Sequence, residues 1–311
     1  MTPKYLLKFI QNLRRLIPGG LVALLFAAPA LLFVDFGSLR QEPARPSSTQ
    51  GGERARGSPQ VEIDPFSQQG IFAIGERDAQ RASWSWEEAK TLSALVWEDQ
   101  IPGVGIYESF YCGCSIERRG TSGGTLDLAS CGYEPRSSEV RASRLEWEHV
   151  VPAAFIAKGL SCWTQGAPVC TDDLGNAFKG RSCCLLADPA FALAAFDPVN
   201  LVPSSGEINS DRLDYPFAEI PGEDRVYGRC DMEIDRRRGL AEPPSQRRGD
   251  IARIWAYMSR AYGLKIPREQ ADLYQSWIGL DPVSAEELRI NRAIAREGHR
   301  PNPFVIGQAR N

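Results

Sequence analysis

The chain has 311 residues, a formal net charge of −3 and 43% hydrophobic residues. Without internal repeats, that length provides for one sizeable core and excludes a repeat array. The near-balance of charge excludes attraction to a polyanion through net charge alone, so nucleic-acid binding would rest on a local patch of the abundant arginines.

In chain order, Lys4, Lys8, Arg14 and Arg15 precede an uncharged apolar run at residues 16–34. Positive charge ahead of an apolar run marks export, and residues 1–40 are expected to be an export signal or an N-terminal membrane anchor. Both readings stay open. The run approaches the ~20 residues that span a bilayer, whereas Pro18, Gly19, Gly20 and Pro29 weaken it as a helix, and Ala28 and Ala30 are small enough for a cleavage site. Residues 41–67 are rich in Pro, Ser, Gly and Arg and read as a flexible linker, and residues 68–311 as a single domain.

Within that domain, Ser85 and Glu88 form a capping-box pattern, and Leu92, Leu95 and Val96 continue at helical spacing toward Glu98, with Gly103 ending the stretch. From Tyr107 to Arg144 the chain breaks into short runs suited to small strands and loops, which deliver the strand bearing Glu146-Trp147-Glu148-His149. Toward the C-terminus, Ile251, Ile254, Trp255, Met258 and Tyr262 recur at helical spacing. Pro267 opens a second helix, and Ser284 with Glu287 caps a third. The outer faces carry Arg247, Arg248, Arg253, Arg260 and Arg268, some of which are expected to line a phosphate track if the chain binds a polyanion. Arg236, Arg237 and Arg238 read as solvated surface, and so does His299 in its Pro-rich tail.

The cysteines fall at 112, 114, 131, 162, 170, 183, 184 and 230. An even number behind an export signal points to four disulfides, in a connectivity the sequence leaves open. Zinc is disfavoured, because Cys112-Gly113-Cys114 and Cys183-Cys184 lack the usual two-residue gaps and no histidine lies close.

His149 is one of only two histidines, and it adjoins a carboxylate. A neutral imidazole can take a proton from water, and an ionised glutamate can hold a hard cation. Side chains of adjacent residues diverge, so Glu148 and His149 are expected to flank a substrate rather than chelate one atom. The pair suggests metal-assisted hydrolysis.

The wider context sharpens this. EWEHVVPA at 146–153, FYCGCSI at 110–116, CGY at 131–133, FKGR at 178–181, NLVPSSGEINSDR at 200–212, YGRCDM at 227–232, EPP at 242–244 and RGDIAR at 248–253 together resemble the bacterial endonuclease I family of periplasmic and secreted nucleases, in the family's order. The resemblance implies an α+β fold with a ββα-metal (His-Me finger) nuclease core, surrounding helices and fully paired cysteines. It implies an exported endonuclease, monomeric, that cleaves DNA, and RNA as well, with little sequence preference. It further implies His149 as general base, Glu148 and Asn200 as ligands of one Mg²⁺ for which Mn²⁺ or Ca²⁺ can substitute, and Arg181 as a phosphate or transition-state clamp. Glu207 and Asn209 stand as candidates for the outer metal shell, and Arg212 for a phosphate contact or a lock on the loop. Leu185-Leu186 stands where some relatives carry a glutamate. The competing reading is a catalytically weak nuclease-fold protein that binds DNA at the cell surface.

Overall fold

A computed structural model describes residue 66 and residues 75–98, 106–222 and 224–305. The expected signal or anchor at 1–40 and, apart from Phe66, the linker at 41–67 lie outside the described residues, as does the start of the domain at residue 68. Among the described residues no helix is long and apolar enough to cross a membrane.

The fold is α+β. Helices α1 (Glu76–Gln80) and α2 (Trp86–Glu98) lead into an antiparallel meander, β1 (Ile106–Glu108), β2 (Ser115–Arg119) and β3 (Gly123–Leu126). Strand β4 (Leu145–His149) follows, then helices α3 (Ser161–Thr164), α4 (Arg181–Ala187) and α5 (Pro189–Ala195). Strand β5 (Leu201–Ser205) runs directly into helix α6 (Gly206–Arg212), and a small hairpin, β6 (Glu233–Asp235) and β7 (Leu240–Glu242), precedes three closing helices: α7 (Arg248–Tyr262), α8 (Arg268–Leu280) and α9 (Ala285–Arg296).

The part of this plan that positions Glu148 and His149 is β4, β5 and α6. The two strands pair antiparallel, with Glu148 opposite Val202 and His149 opposite Leu201. Ser205 ends β5 by capping α6, its hydroxyl accepting from the Glu207 N–H at 3.2 Å, so the chain turns from strand to helix with no loop. Gly206 stands where a Cβ would meet the Arg141 carbonyl at 2.8 Å, and its absence lets α6 lie close against the chain leading into β4.

The anticipated helices form for the anticipated reasons. Ser85 and Glu88 exchange capping bonds at the head of α2, Pro267 caps α8, and Ser284 with Glu287 completes a capping box on α9. On α7, Ile251, Trp255 and Met258 are buried at i, i+4 and i+7, and Trp255 packs edge-on against Phe155 and tilted against Tyr274.

Three of the five arginines, and His299, lie otherwise than expected. Arg253 is 2% exposed and forks onto Glu287 at 2.7 Å from each nitrogen, Arg247 bonds Asp250 and Glu286, and Arg248 pairs with Glu242 and Glu219. Arg247 and Arg253 tie the α7 region to α9, and Arg248 ties α7 to β7 and to the loop at Glu219, rather than facing a polyanion, because the fold brings acidic partners to meet them. Arg268 is well exposed, beside Asp272. His299 is buried, not on the surface: the tail folds back so that its ring lies against Asp78 and Arg81, edge-on to Trp84. Arg236 and Arg238 are largely exposed, as expected, and pair with Asp211 and Asp235.

All eight cysteines pair, as Cys112–Cys230, Cys114–Cys131, Cys162–Cys184 and Cys170–Cys183. The last two fasten the 161–184 excursion to α4, the helix that begins with Arg181. Closing loops of this size contributes on the order of 3 kcal/mol each in the chain-entropy account.

Candidate active site

Alternation along β4 sends Glu146 and Glu148 to one face and His149 to the other. On the first face, two residues apart on the strand meet two residues three apart on α6. Asn209 Nδ2 donates to Glu146 Oε2 at 2.9 Å, and Arg212 Nη1 donates to Glu148 Oε1 at 2.8 Å. Arg212 also donates to the carbonyls of His149 (2.6 Å) and Val150 (2.8 Å), and its guanidinium lies 4.4 Å from the Phe217 ring centre. With 1% exposure it has no access to a phosphate. Its hydrogen bonds fall on Glu148 and on the turn after β4.

On the other face, His149 Nε2 lies 2.8 Å from the Ala195 carbonyl at the end of α5. A carbonyl oxygen only accepts, so Nε2 carries the hydrogen and Nδ1 is left as the acceptor. Trp86, in the first turn of α2, stacks on the imidazole at 5.4 Å and 13°, so the ring is fixed both in its plane and across it.

A cleft of about 380 Å³ joins these groups. Glu148, His149, Arg181 and Asn209 all line it, together with Arg141 and Trp163. Arg181 is exposed there, directly after Gly180, whose φ of 86° turns the chain into α4. Burial pushes the His149 imidazole down to about 3, helped by the neighbouring charges of Arg181 and Arg212, so it is neutral through the physiological range. Burial likewise pushes the Glu148 carboxyl up to about 7, against the opposing pull of Arg212 and of the Tyr111 hydroxyl.

Asn200 is the departure from expectation. It is fully buried, outside the lining of the cleft, and both ends of its amide are engaged on one residue: Oδ1 accepts from the Val151 N–H at 2.7 Å, and Nδ2 donates to the Val151 carbonyl at 3.0 Å. That reciprocal pair clasps the turn after His149 to the start of β5. Asn209, expected only in an outer shell, is part-buried and lines the cleft. Its Nδ2 is committed to Glu146, so Oδ1 is the atom left for the cleft. Glu207 faces away and accepts from the Tyr133 and Ser137 hydroxyls and from the backbone N–H groups of Arg136 and Ser137, which anchors that loop to α6.

The donors suit a hard, hydrated cation. Tyr111 and Arg212 both donate to Glu148 Oε1, which leaves Oε2, and Asn209 offers Oδ1. Among the described residues no cluster of three or more His, Cys, Asp or Glu could hold a metal. One carboxylate and one neutral amide oxygen leave most positions to water and to substrate oxygens, as Mg²⁺ favours.

Comparison with known proteins bears on what such a cleft is for. The profile of the family described as Endonuclease I matches residues 86–308. The chain is 40% identical over 201 residues to an extracellular deoxyribonuclease of Aeromonas hydrophila, covering 64% of this chain and 82% of that protein. It is 36% identical over 227 residues to a periplasmic deoxyribonuclease of the same organism, covering 71% and 88%. Over 218 residues it is 34% identical to Endonuclease-1 of Buchnera aphidicola subsp. Acyrthosiphon pisum, covering 70% and 79%.

Proposed function

The chain belongs to the endonuclease I family, and we propose that it is an exported, Mg²⁺-dependent endonuclease that hydrolyses DNA with little sequence preference from the cleft between β4, α4 and α6. The observation that carries this reading is the convergence of a neutral, tautomer-fixed imidazole, a carboxylate, an amide oxygen and an exposed arginine on one cavity. The relatives' names, extracellular and periplasmic deoxyribonuclease, supply the substrate and the compartment.

In this account His149 Nδ1 takes a proton from a water molecule, whose oxygen bonds to phosphorus as the bond from phosphorus to the 3′-oxygen breaks; the 3′-oxygen gains a proton from solvent and His149 returns its own to solvent. Nε2–H stays on the Ala195 carbonyl, so the imidazolium formed keeps its orientation. Arg181 holds non-bridging phosphate oxygens through its planar fork. Glu148 Oε2 and Asn209 Oδ1 would hold the divalent cation. When bound, it supplies positive charge to the scissile phosphate and the leaving oxygen. The products carry 5′-phosphate and 3′-hydroxyl ends. Fragments produced in Mg²⁺ should therefore be rejoined by DNA ligase without prior kinase treatment; fragments that need the kinase would contradict the reaction assigned.

The exchange of roles between the two asparagines gives a separable pair of outcomes. Asn209→Ala is expected to lower cleavage at least about a hundredfold while thermal unfolding stays close to wild type. Asn200→Ala strips a buried N–H and carbonyl of their partners and is expected to cost about 2–6 kcal/mol of stability, at roughly 1–3 for each orphaned group. Thermal unfolding in chelator and initial rates in Mg²⁺ would separate the two; equal unfolding temperatures with activity lost only in Asn200→Ala would restore the original assignment.

Cation binding should also follow pH. The Glu148 carboxyl, pushed up to about 7, carries a proton below that pH and must lose it to serve as a ligand. Mg²⁺ affinity is expected to rise as pH increases through about 7, with proton release that titration calorimetry in buffers of different ionisation enthalpy would detect. His149, neutral above about 3, contributes no acidic limb in this range.

A further inference from the structure

Trp163 takes no part in the chemistry above, yet it lines the same cleft while remaining part-exposed. It sits on α3, a single short turn of helix with little stability of its own, and is held from three sides. Cys162, its neighbour, is bonded to Cys184 of α4. The Gly180 N–H donates to the Cys162 carbonyl at 3.1 Å, and Lys179 Nζ donates to the Thr164 carbonyl at 3.1 Å. Behind the indole, Phe191 of α5 lies 6.1 Å away, tilted by 54°. The segment bearing Trp163 is thus fastened to the residues just before Arg181, so an aromatic face and a guanidinium stand on adjoining backbones at one rim of the cleft.

We infer that Trp163 and Arg181 form a nucleotide subsite that takes an unpaired nucleobase against the indole while the guanidinium holds a neighbouring phosphate. A phosphate clamp alone reads only the backbone, which every nucleic acid offers alike. An indole adds affinity for the flat face of a base, with little regard to which base it is. In a duplex both faces of each base are covered by its neighbours, so the subsite favours single-stranded or locally opened substrate. The inference rests on the nuclease reading for its substrate class, but it concerns binding and is testable without turnover.

The test is fluorescence anisotropy of labelled oligonucleotides with the oxidised full chain in chelator. Trp163→Ala is expected to weaken binding of single-stranded DNA about tenfold and of duplex less than about twofold, with Trp163→Phe close to wild type. On a single strand just long enough to fill the cleft, so that one register dominates, an abasic spacer walked along the strand should weaken wild-type binding at one position, and that penalty should vanish in Trp163→Ala. Equal losses on single strands and duplex, or a flat spacer scan with the wild type, would overturn the subsite. The spacer scan on wild type still decides the matter if the alanine variant fails to fold. A wild type that binds oligonucleotides but cleaves none in Mg²⁺ sinks the nuclease reading, while the dependence of affinity on spacer position still decides the subsite.

Discussion

Replacing His149 with alanine is expected to lower the maximal rate of DNA cleavage by roughly 10²–10⁴-fold, the range that a positioned general base contributes. The loss should fall on the rate and not on binding, because His149 is only 8% exposed and holds no charge with which to attract a phosphate. Affinity for DNA in chelator is therefore expected to stay within about twofold of wild type. Some stability should be lost as well, since the substitution removes both the stack on Trp86 and the bond to the Ala195 carbonyl. At about 1–3 kcal/mol such a loss leaves most of the protein folded. Unchanged rates in His149→Ala would remove the base from the mechanism.

Replacing Arg212 with methionine is expected to cost about 3–5 kcal/mol, because it leaves the carboxylate of Glu148 buried without its charged partner. Two backbone carbonyls, of His149 and Val150, lose their donor in the same step. The deficit has a definite pH dependence. The Glu148 carboxyl already lies above its unfolded value, so the folded protein binds the extra proton and this group's contribution to stability falls as pH rises from about 4.5 through 7. Removing Arg212 pushes that carboxyl higher still, so the variant's deficit should be larger at pH 8 than at pH 5. Arg181→Met makes the contrast. Arg181 is exposed and has no hydrogen bond among those found for the described residues, so its loss should depress cleavage while leaving thermal unfolding nearly unchanged. If both variants unfold like wild type, Arg212 does not hold the turn after β4.

What the sequence disclosed of this arrangement divides along physical lines. Helix ends were legible because capping is local: Ser85 with Glu88, Pro267, and Ser284 with Glu287 each act within one turn. His149 and Glu148 were legible because rarity and adjacency are properties of the string. The fates of the two asparagines were not, because they depend on which lies just ahead of β5 and which lies on the helix after it. Asn200 enters β5 beside Val151, whereas Asn209 and Arg212, three apart, share the α6 face that meets Glu146 and Glu148. The arginines of α7 were misplaced for a related reason. Arg253 reads as solvent-facing until Glu287, 34 residues later, returns to meet it. Nothing beside Trp163 in the chain marks a cleft; the disulfide from Cys162 to Cys184 is what brings it to Arg181.

The most direct test of the nuclease assignment is cleavage of supercoiled plasmid by the oxidised full chain in Mg²⁺ and in chelator. Nicking followed by degradation in Mg²⁺, abolished by chelator and nearly abolished in His149→Ala, is the predicted result. Plasmid left intact by a folded, fully disulfide-bonded wild type across Mg²⁺, Mn²⁺ and Ca²⁺ would contradict it and leave a protein that binds DNA without cutting it.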